Sequence, residues 1–414
     1  MKVGYININT NILLAKDTDK IFEFISKKLL ECGFTFSFAS TIQGTYEHIK
    51  NTIESNNEKI YIIVGDNNST RNLAIKNILT KYLGTQTFKN NEIVQFLTEY
   101  YKLNNLTQNT DIENESIIPI GAIHLVNKTS ELQGFIYKSL DKWYIFIPND
   151  LNAIKDIYEN QLKLYLCKIL NSDYSIATIK TYGINEKDLL LLIKDQLKKY
   201  SEFLLTTYAD DLDITINIRY LTSTNEETLR EYLSSLYTIL DKYIYATEDI
   251  SIYKTAFDLI RLTKKTLSIT ESSTVSNITK NFLECDNFAK NILTNSVTFT
   301  KESALINALS TNKRIIDQYK LFSVENAYEI AVNMLDKYKT DFVVVTCGEI
   351  PNENTNLNNL QTFIAVGDCD GIHVYKNIFK GTSQAIIKSI SKSAIFYLIR
   401  KIKQNALIFN KTTI

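Results

Sequence analysis

The chain opens on short apolar runs alternating with segments of helical period. Residues 3–8 form an apolar run of strand length, and residues 19–32 place Ile21, Phe22, Ile25, Leu29 and Leu30 on one side of a helix. Gly33 follows where a helix C-cap glycine stands. Residues 34–38 alternate as a strand, residues 46–55 return to helical period, residues 59–64 are a continuous apolar run, and residues 72–83 are a further helix. This βαβαβα order predicts a parallel sheet covered on both faces, the doubly wound arrangement. Residues 142–148 are a later strand, and a helix over residues 153–170 leads onward.

A smaller block spans roughly residues 172–250. It holds a helix at 186–200, strands at 203–208 and 213–220, and a helix at 226–243, a compact α+β pattern. The third block begins near residue 252 with a helix at 253–265 and a strand at 266–270. The sharp loop Glu271-Ser272-Ser273-Thr274 then opens a helix that reaches Leu283. A strand at 296–299, a helix at 324–338, strands at 342–346, 361–366 and 372–376, and a long last helix complete it, with a polar Asn-rich loop at 351–359. A chain of 414 residues exceeds one ordinary core, so the pattern predicts a multidomain α/β protein with domains at 1–170, 171–250 and 251–414.

Composition narrows the function. Hydrophobic residues at 44% and charged residues at 22% exclude wholesale disorder. Lys+Arg 46 against Asp+Glu 46 leaves no basic excess, which argues against nucleic acid as the main partner. No apolar stretch approaches the roughly 18 residues that cross a bilayer, and residues 1–8 lack a signal-peptide core, so a cytoplasmic protein without a membrane partner is expected. Five scattered cysteines without a C-x-x-C point to buried free thiols, with no disulfide framework and no zinc site. His48, His124 and His373 lie far apart and carry structural readings.

Glycine and proline are scarce, at 12 and 3 residues, and the glycine share is under half of the usual ~7%. Glycine lets backbone approach a phosphate closely, so nucleotide-binding loops are short of material. The loop Gly65-Asp66-Asn67-Asn68-Ser69-Thr70 follows an apolar strand, at the end of a doubly wound sheet where ligands bind. One glycine makes it a weak phosphate cradle, and Asp66 and Asn67 serve equally as turn formers.

Several motifs together resemble the CinA family of competence/damage-inducible proteins, whose C-terminal domain carries nicotinamide mononucleotide deamidase activity in its active members. The family's Glu-Ser-Cys-Thr-Gly-Gly corresponds to Glu271-Ser272-Ser273-Thr274-Val275-Ser276. Its Tyr-Ser-Asn-Glu-Ala-Lys corresponds to Phe299-Thr300-Lys301-Glu302-Ser303-Ala304, and its Val-Ser-Glu-Glu-Thr-Ala to Phe322-Ser323-Val324-Glu325-Asn326-Ala327. The strand end Val345-Thr346-Cys347-Gly348-Glu349-Ile350-Pro351 stands for Val-Thr-Gly-Ile-Ala-Gly-Pro. Upstream, Val64–Thr70 falls at Gly-Gly-Leu-Gly-Pro-Thr of a molybdopterin-binding-like domain, Ile147–Leu151 at Leu-Pro-Gly-Pro-Pro, and Thr206-Thr207-Tyr208-Ala209 at Ala-Pro-Tyr-Ala of a KH-type domain. The resemblance covers nearly the whole chain. It implies an N-terminal molybdopterin-binding-like domain, a KH-type middle domain, an amidase-like C-terminal domain and a homodimer.

The resemblance also assigns residues. Ser272 holds the nucleophile position, although a Ser at a strand-to-helix turn is equally a helix N-cap. Thr346 is retained, Lys301 stands as a possible substitute base, and Glu271, Thr274, Gly65, Asp66 and Thr70 are the candidate substrate-binding residues. The family's Tyr is Phe299, its Lys is Ala304, and its Gly-Asp-Arg turn is Gly381-Thr382-Ser383. Val275 and Ser276 replace two glycines, and a β-branched Val tolerates positive φ poorly. In the first domain the family's Asp-Asp reads Arg71-Asn72, leaving Asp66 as the local carboxylate for a magnesium ion, the cofactor a working N-terminal hydrolase would need. The expectation is a CinA-like protein with degraded active sites and a binding or structural role, a small nucleotide being the ligand the resemblance implies; the alternative is an active amidase rebuilt on Ser272, Lys301 and Thr346. A nucleic-acid role through the middle block lacks the Gly-x-x-Gly clamp of KH modules.

Overall fold

A computed structural model describes residues 2–31, 34–106, 111–170, 174–309, 311–351 and 360–412. Two compact units divide the chain: Met1–Ile176 with Arg219–Ser223, and Ala177–Ile218 with Thr224–Ile414.

The first unit is built on a six-stranded sheet. Its strand order is Phe36–Ile42, Val3–Ile8, Ile60–Val64, Lys142–Ile147, Gly134–Ser139 and Ile123–Leu125. The first four strands are parallel and the last two antiparallel. Side chains alternate between faces along a strand. Val3, Tyr5, Ile62 and Ile145 therefore pack with Ile21, Ile25 and Leu29 of helix Lys20–Glu31 and with Ile154 and Ile157 of helix Leu151–Ile157. Ile6, Tyr61, Ile63 and Phe146 face the other way, onto Ile49, Ile75, Leu79, Ile93 and Leu97 from three further helices. Both faces are covered, as the doubly wound pattern requires.

Several elements differ from the sequence expectation. The strand expected at 34–38 runs from Phe36 to Ile42, and helix Asn91–Leu103 with the strand pair Thr87–Lys89 and Ile117–Pro119 adds to the pattern. The helix expected at 153–170 starts at Leu151, because Asp150 Oδ1 accepts the Ala153 N–H at 2.7 Å as a cap, and it contains a π-helical turn at Tyr158–Leu162. Gly33 lies outside the described residues, as does most of the Asn-rich loop.

The small block forms a four-stranded sheet in the order Leu204–Asp210, Asp213–Leu221, Tyr174–Tyr182, Ile244–Ala246, so two strands join the pair read from sequence. The helix expected at 186–200 breaks at Ile193 (φ −96°, ψ 4°) into Glu186–Leu192 and Lys194–Lys199.

The third block forms a five-stranded sheet in the order Leu293–Thr298, Leu267–Glu271, Phe342–Gly348, Leu360–Asp368, Gly371–Phe379. The first three strands are parallel, and the remaining two pair antiparallel. Leu267, Ile269, Val344 and Ile364 pack on helices Ile252–Leu262, Asn277–Leu283 and Ser383–Thr412. Val343, Val345, Phe363 and Ala365 pack on Glu302–Leu309 and Val324–Tyr338. The small sheet and the last helix are tied by charge: Lys392 Nζ lies 2.8 Å from Asp210 and 2.5 Å from Asp213, and Lys388 lies 2.6 Å from Asp210. Tyr182 adds a hydroxyl contact to Ser393 at 2.9 Å.

The thiols correct the composition reading in part. Cys347 is buried and Cys285 half-buried, but Cys369 is exposed. Among the described residues no helix is long and apolar enough to cross a membrane.

Candidate functional site

Strand Leu267–Glu271 sits between two parallel neighbours, so its carboxyl end is enclosed by theirs. Ligands bind at such strand ends in open α/β sheets. Glu271, Ser272, Ser273 and Thr274 are all buried there.

Glu271 closes the start of the next helix. One carboxylate oxygen accepts the Ile278 N–H at 3.0 Å and the Thr274 hydroxyl at 2.6 Å. The other accepts the Thr279 N–H at 2.9 Å and the Thr279 hydroxyl at 2.6 Å. The carboxylate therefore satisfies first-turn amides that a helix leaves unpaired and supplies the negative charge its N-terminus favours. Ser276, the cap residue, makes no side-chain cap bond of its own.

Thr274 Oγ1 reaches Thr346 Oγ1 at 2.8 Å, which links the loop to the end of strand Phe342–Gly348. Ser272 makes the next link. Its hydroxyl donates toward the carbonyls of Gly348 at 2.8 Å and Thr346 at 3.0 Å, and its oxygen accepts the Gly348 N–H at 2.9 Å. Its own N–H bonds the Thr346 carbonyl at 3.0 Å. Ser272 is 1% exposed. Gly348 must be glycine, since a Cβ would meet Thr362 Oγ1 at 2.8 Å and the Gln361 carbonyl at 3.2 Å.

The structure thus brings Glu271, Ser272, Thr274 and Thr346 into one buried network. Lys301 is not part of it: the side chain is exposed and makes no hydrogen bond to Ser272 among the described residues. Phe299 is fully packed in the core. The turn keeps its glycine-like backbone without glycines, with Val275 at φ 49° and Ser276 at φ 62°. Ser276 Oγ is anchored by Thr298 Oγ1 at 2.6 Å, while Val275 is half exposed.

A groove of about 760 Å³ opens beside the helix that Glu271 caps, lined by Tyr253, Lys254, Asn277, Asn281, Cys285 and Gln384 among others. Asn277 Nδ2 is fixed on Ser391 Oγ at 2.8 Å. Cys285 offers no thiolate, because burial pushes its thiol up to about 11, and burial pushes Cys347 up to about 12.

In the first unit the loop after Ile60–Val64 is organised from within. A Cβ on Gly65 would meet Asn72 Oδ1 at 2.4 Å and Phe146 Cζ at 2.5 Å, so this glycine is required by packing. Asn72 Oδ1 accepts the Asp66 N–H at 2.7 Å. Asp66 Oδ1 accepts the Asn68 N–H at 3.0 Å, and its other oxygen lies 3.4 Å from Arg71. Asn68 caps helix Ser69–Leu83, and Thr70 Oγ1 receives a bond from Asn114 at 3.4 Å. Beneath the loop lie two residues that the motif reading missed, Lys76 and Glu115, both 0% exposed and 2.7 Å apart. A signal existed: Lys76 falls in register with Asn72, Ile75 and Leu79 on the inward face of its helix. His124 contacts Gln133 at 2.9 Å, and its pKa is lowered chiefly by burial, in keeping with a structural role. No group of three or more His, Cys, Asp or Glu residues that could hold a metal ion occurs among the described residues.

Residues 249–402 match the family model of the CinA C-terminal domain. Relatives whose names carry the term competence-damage inducible align along almost the whole chain. One from Clostridium beijerinckii is 24% identical over 92% of this chain and 94% of its own length. One from Bacillus subtilis is 21% identical over 97% of this chain and 99% of its own. Among solved structures, the CinA protein of Thermoplasma acidophilum aligns at 16% identity over 41% of this chain and 97% of its own, with a TM-score of 0.35. A molybdopterin biosynthesis protein of Mycobacterium abscessus aligns at 14% identity over 41% of this chain and 95% of its own, with a TM-score of 0.28.

Proposed function

The chain is a CinA-family protein, and from that premise we propose that it binds a small nucleotide without hydrolysing it, its amidase position having become part of the structure. The observation that carries this reading is the state of Ser272. A serine nucleophile needs an open approach and a base to take its proton. The Ser272 proton points at two backbone carbonyls, which do not act as bases at neutral pH, and its oxygen takes the Gly348 N–H. Phe299 has no hydroxyl to donate or accept a proton, and Lys301 stands outside the network. Loss of acid/base assistance alone costs about 10²–10⁴ in rate.

The groove beside Asn277 is the binding site in this reading. Its polar groups are Lys254, which shares its charge with Asp258 at 2.6 Å, and Asn277, Asn281 and Gln384, whose amides suit the polar groups of a nucleotide, and the Glu271 network holds its wall. Two measurements on the full chain test it. Calorimetry with nicotinamide mononucleotide and ADP-ribose is expected to detect binding that Asn277→Ala weakens. An amidase assay is expected to find no release of nicotinic acid mononucleotide. Turnover that Ser272→Ala abolishes would overturn the proposal in favour of an amidase on Ser272, Lys301 and Thr346.

A further inference from the structure

We propose that the loop Gly65–Thr70 of the first unit is a metal-independent site, because Lys76 already supplies a fixed cation beneath it. This inference concerns a different unit from the Ser272 network and stands whether or not that network is catalytic.

The Lys76 ammonium lies 2.7 Å from Glu115 Oε2, and neither side chain is exposed. Glu115 Oε2 also accepts the Gln133 N–H at 3.2 Å, and Oε1 accepts Asn72 Nδ2 at 3.3 Å. Lys76 turns its remaining contacts to the Glu115 carbonyl at 3.5 Å and the Phe146 ring at 5.8 Å. Through Asn72 the pair is joined to the loop itself, since the same amide that donates to Glu115 accepts the Asp66 N–H. Asn114, the neighbour of Glu115, donates to Ser69 Oγ at 3.2 Å and Thr70 Oγ1 at 3.4 Å, so the strand-end loop and the buried pair form one body.

The donor set does not fit the divalent ion that the family resemblance implies. Magnesium takes near-octahedral oxygen coordination, with one or two carboxylates beside waters and phosphate oxygens. Of the two carboxylates tied to this loop, Glu115 is paired with Lys76, and Asp66 divides its oxygens between the Asn68 N–H and Arg71. Bringing a second, doubly charged cation against a buried ammonium adds repulsion in a region of low dielectric, where charges interact most strongly. A buried ion pair contributes little net stability compared with apolar packing, so stability alone does not account for this one. As a built-in counter-cation, Lys76 balances Glu115 without a metal.

The test uses the full-length protein, freed of metal with a chelator and titrated with Mn²⁺ under paramagnetic resonance detection, beside thermal melts in Mg²⁺ and in chelator. The expected result is no stoichiometric Mn²⁺ binding at submillimolar concentration and superimposable melts. One Mn²⁺ per chain, lost in Asp66→Asn or in Glu115→Gln, would overturn the proposal. Since Glu115→Gln leaves a buried ammonium unpaired, Asp66→Asn carries the same test in a chain whose interior is untouched. Mn²⁺ that survives both substitutions resides elsewhere in the chain and supports a loop that takes no metal.

Discussion

Ser272 and Gly348 hold each other reciprocally: the serine hydroxyl donates to the Gly348 carbonyl at 2.8 Å and accepts the Gly348 N–H at 2.9 Å. The bond closes the end of one strand onto its parallel neighbour where the backbone ladder runs out. Removing the hydroxyl leaves buried backbone groups without a partner, a loss of about 1–3 kcal/mol. Ser272→Ala is therefore expected to lower the unfolding free energy by that amount, read as a lower urea midpoint at an unchanged m-value. A catalytic serine would show the opposite profile, with unchanged stability and abolished turnover.

The turn that follows holds two non-glycine residues at positive φ, Val275 and Ser276. The left-handed region costs an L-residue about 1–2 kcal/mol, and glycine returns about 0.5–1 of that through its freer unfolded chain. Val275→Gly is expected to stabilise the protein by about 0.5–1 kcal/mol, raising its melting temperature by about 1–4 °C. Ser276→Gly should gain less, because it also loses the contact to Thr298 Oγ1 at 2.6 Å. Calorimetric melts decide this, and a lower melting temperature for Val275→Gly would sink the strain argument.

The layered α/β fold was legible because apolar periodicity marks elements that bury one face, as in Ile60–Val64 and Lys20–Glu31. Short strands such as Ile123–Leu125 and Ile244–Ala246 were not, since three residues define no period. At the site, the family resemblance pointed to Glu271, Ser272, Thr274 and Thr346, which do share one network. Spacing could not tell that the Ser272 proton faces carbonyls, or that Val275 would keep a glycine conformation. Those outcomes depend on which strand ends meet. The partnership of Lys76 with Glu115 was hidden for the same reason, as the two lie 39 residues apart in the chain.

That partnership predicts a specific pattern of stabilities. Removing one member of a buried ion pair strands the other charge in the interior, at a loss of about 3–5 kcal/mol. Replacing both by apolar residues of similar volume removes the charge problem altogether. Lys76→Met and Glu115→Leu should each be strongly destabilising, while the double variant should lie much closer to wild type, a coupling read directly from a double-mutant cycle in urea. Additive losses would mean that the pair does not interact as described.

The charged joint between the small sheet and the last helix sets a pH window. Burial pushes the Asp210 carboxyl up, but the hydrogen bonds and charges of Lys388 and Lys392 outweigh it and hold the group below the ordinary carboxylate range. A lowered acid contributes its full stability above the unfolded value of about 3.9 and loses it as pH falls through the folded value. Burial pushes Lys392 down, but Asp213 and Asp210 outweigh it and raise the ammonium above its usual range. A raised base contributes fully below about 10.4 and loses its contribution as pH rises through the folded value. The difference in melting temperature between wild type and Lys392→Met should therefore be flat between about pH 5 and 9 and shrink toward pH 3 as Asp210 is protonated. Tyr182 is raised chiefly by burial, so its neutral form favours the folded state and its contribution fades only on the alkaline side. A difference that persists unchanged at pH 3 would show that Lys392 acts through packing of its apolar stem, with its charge idle.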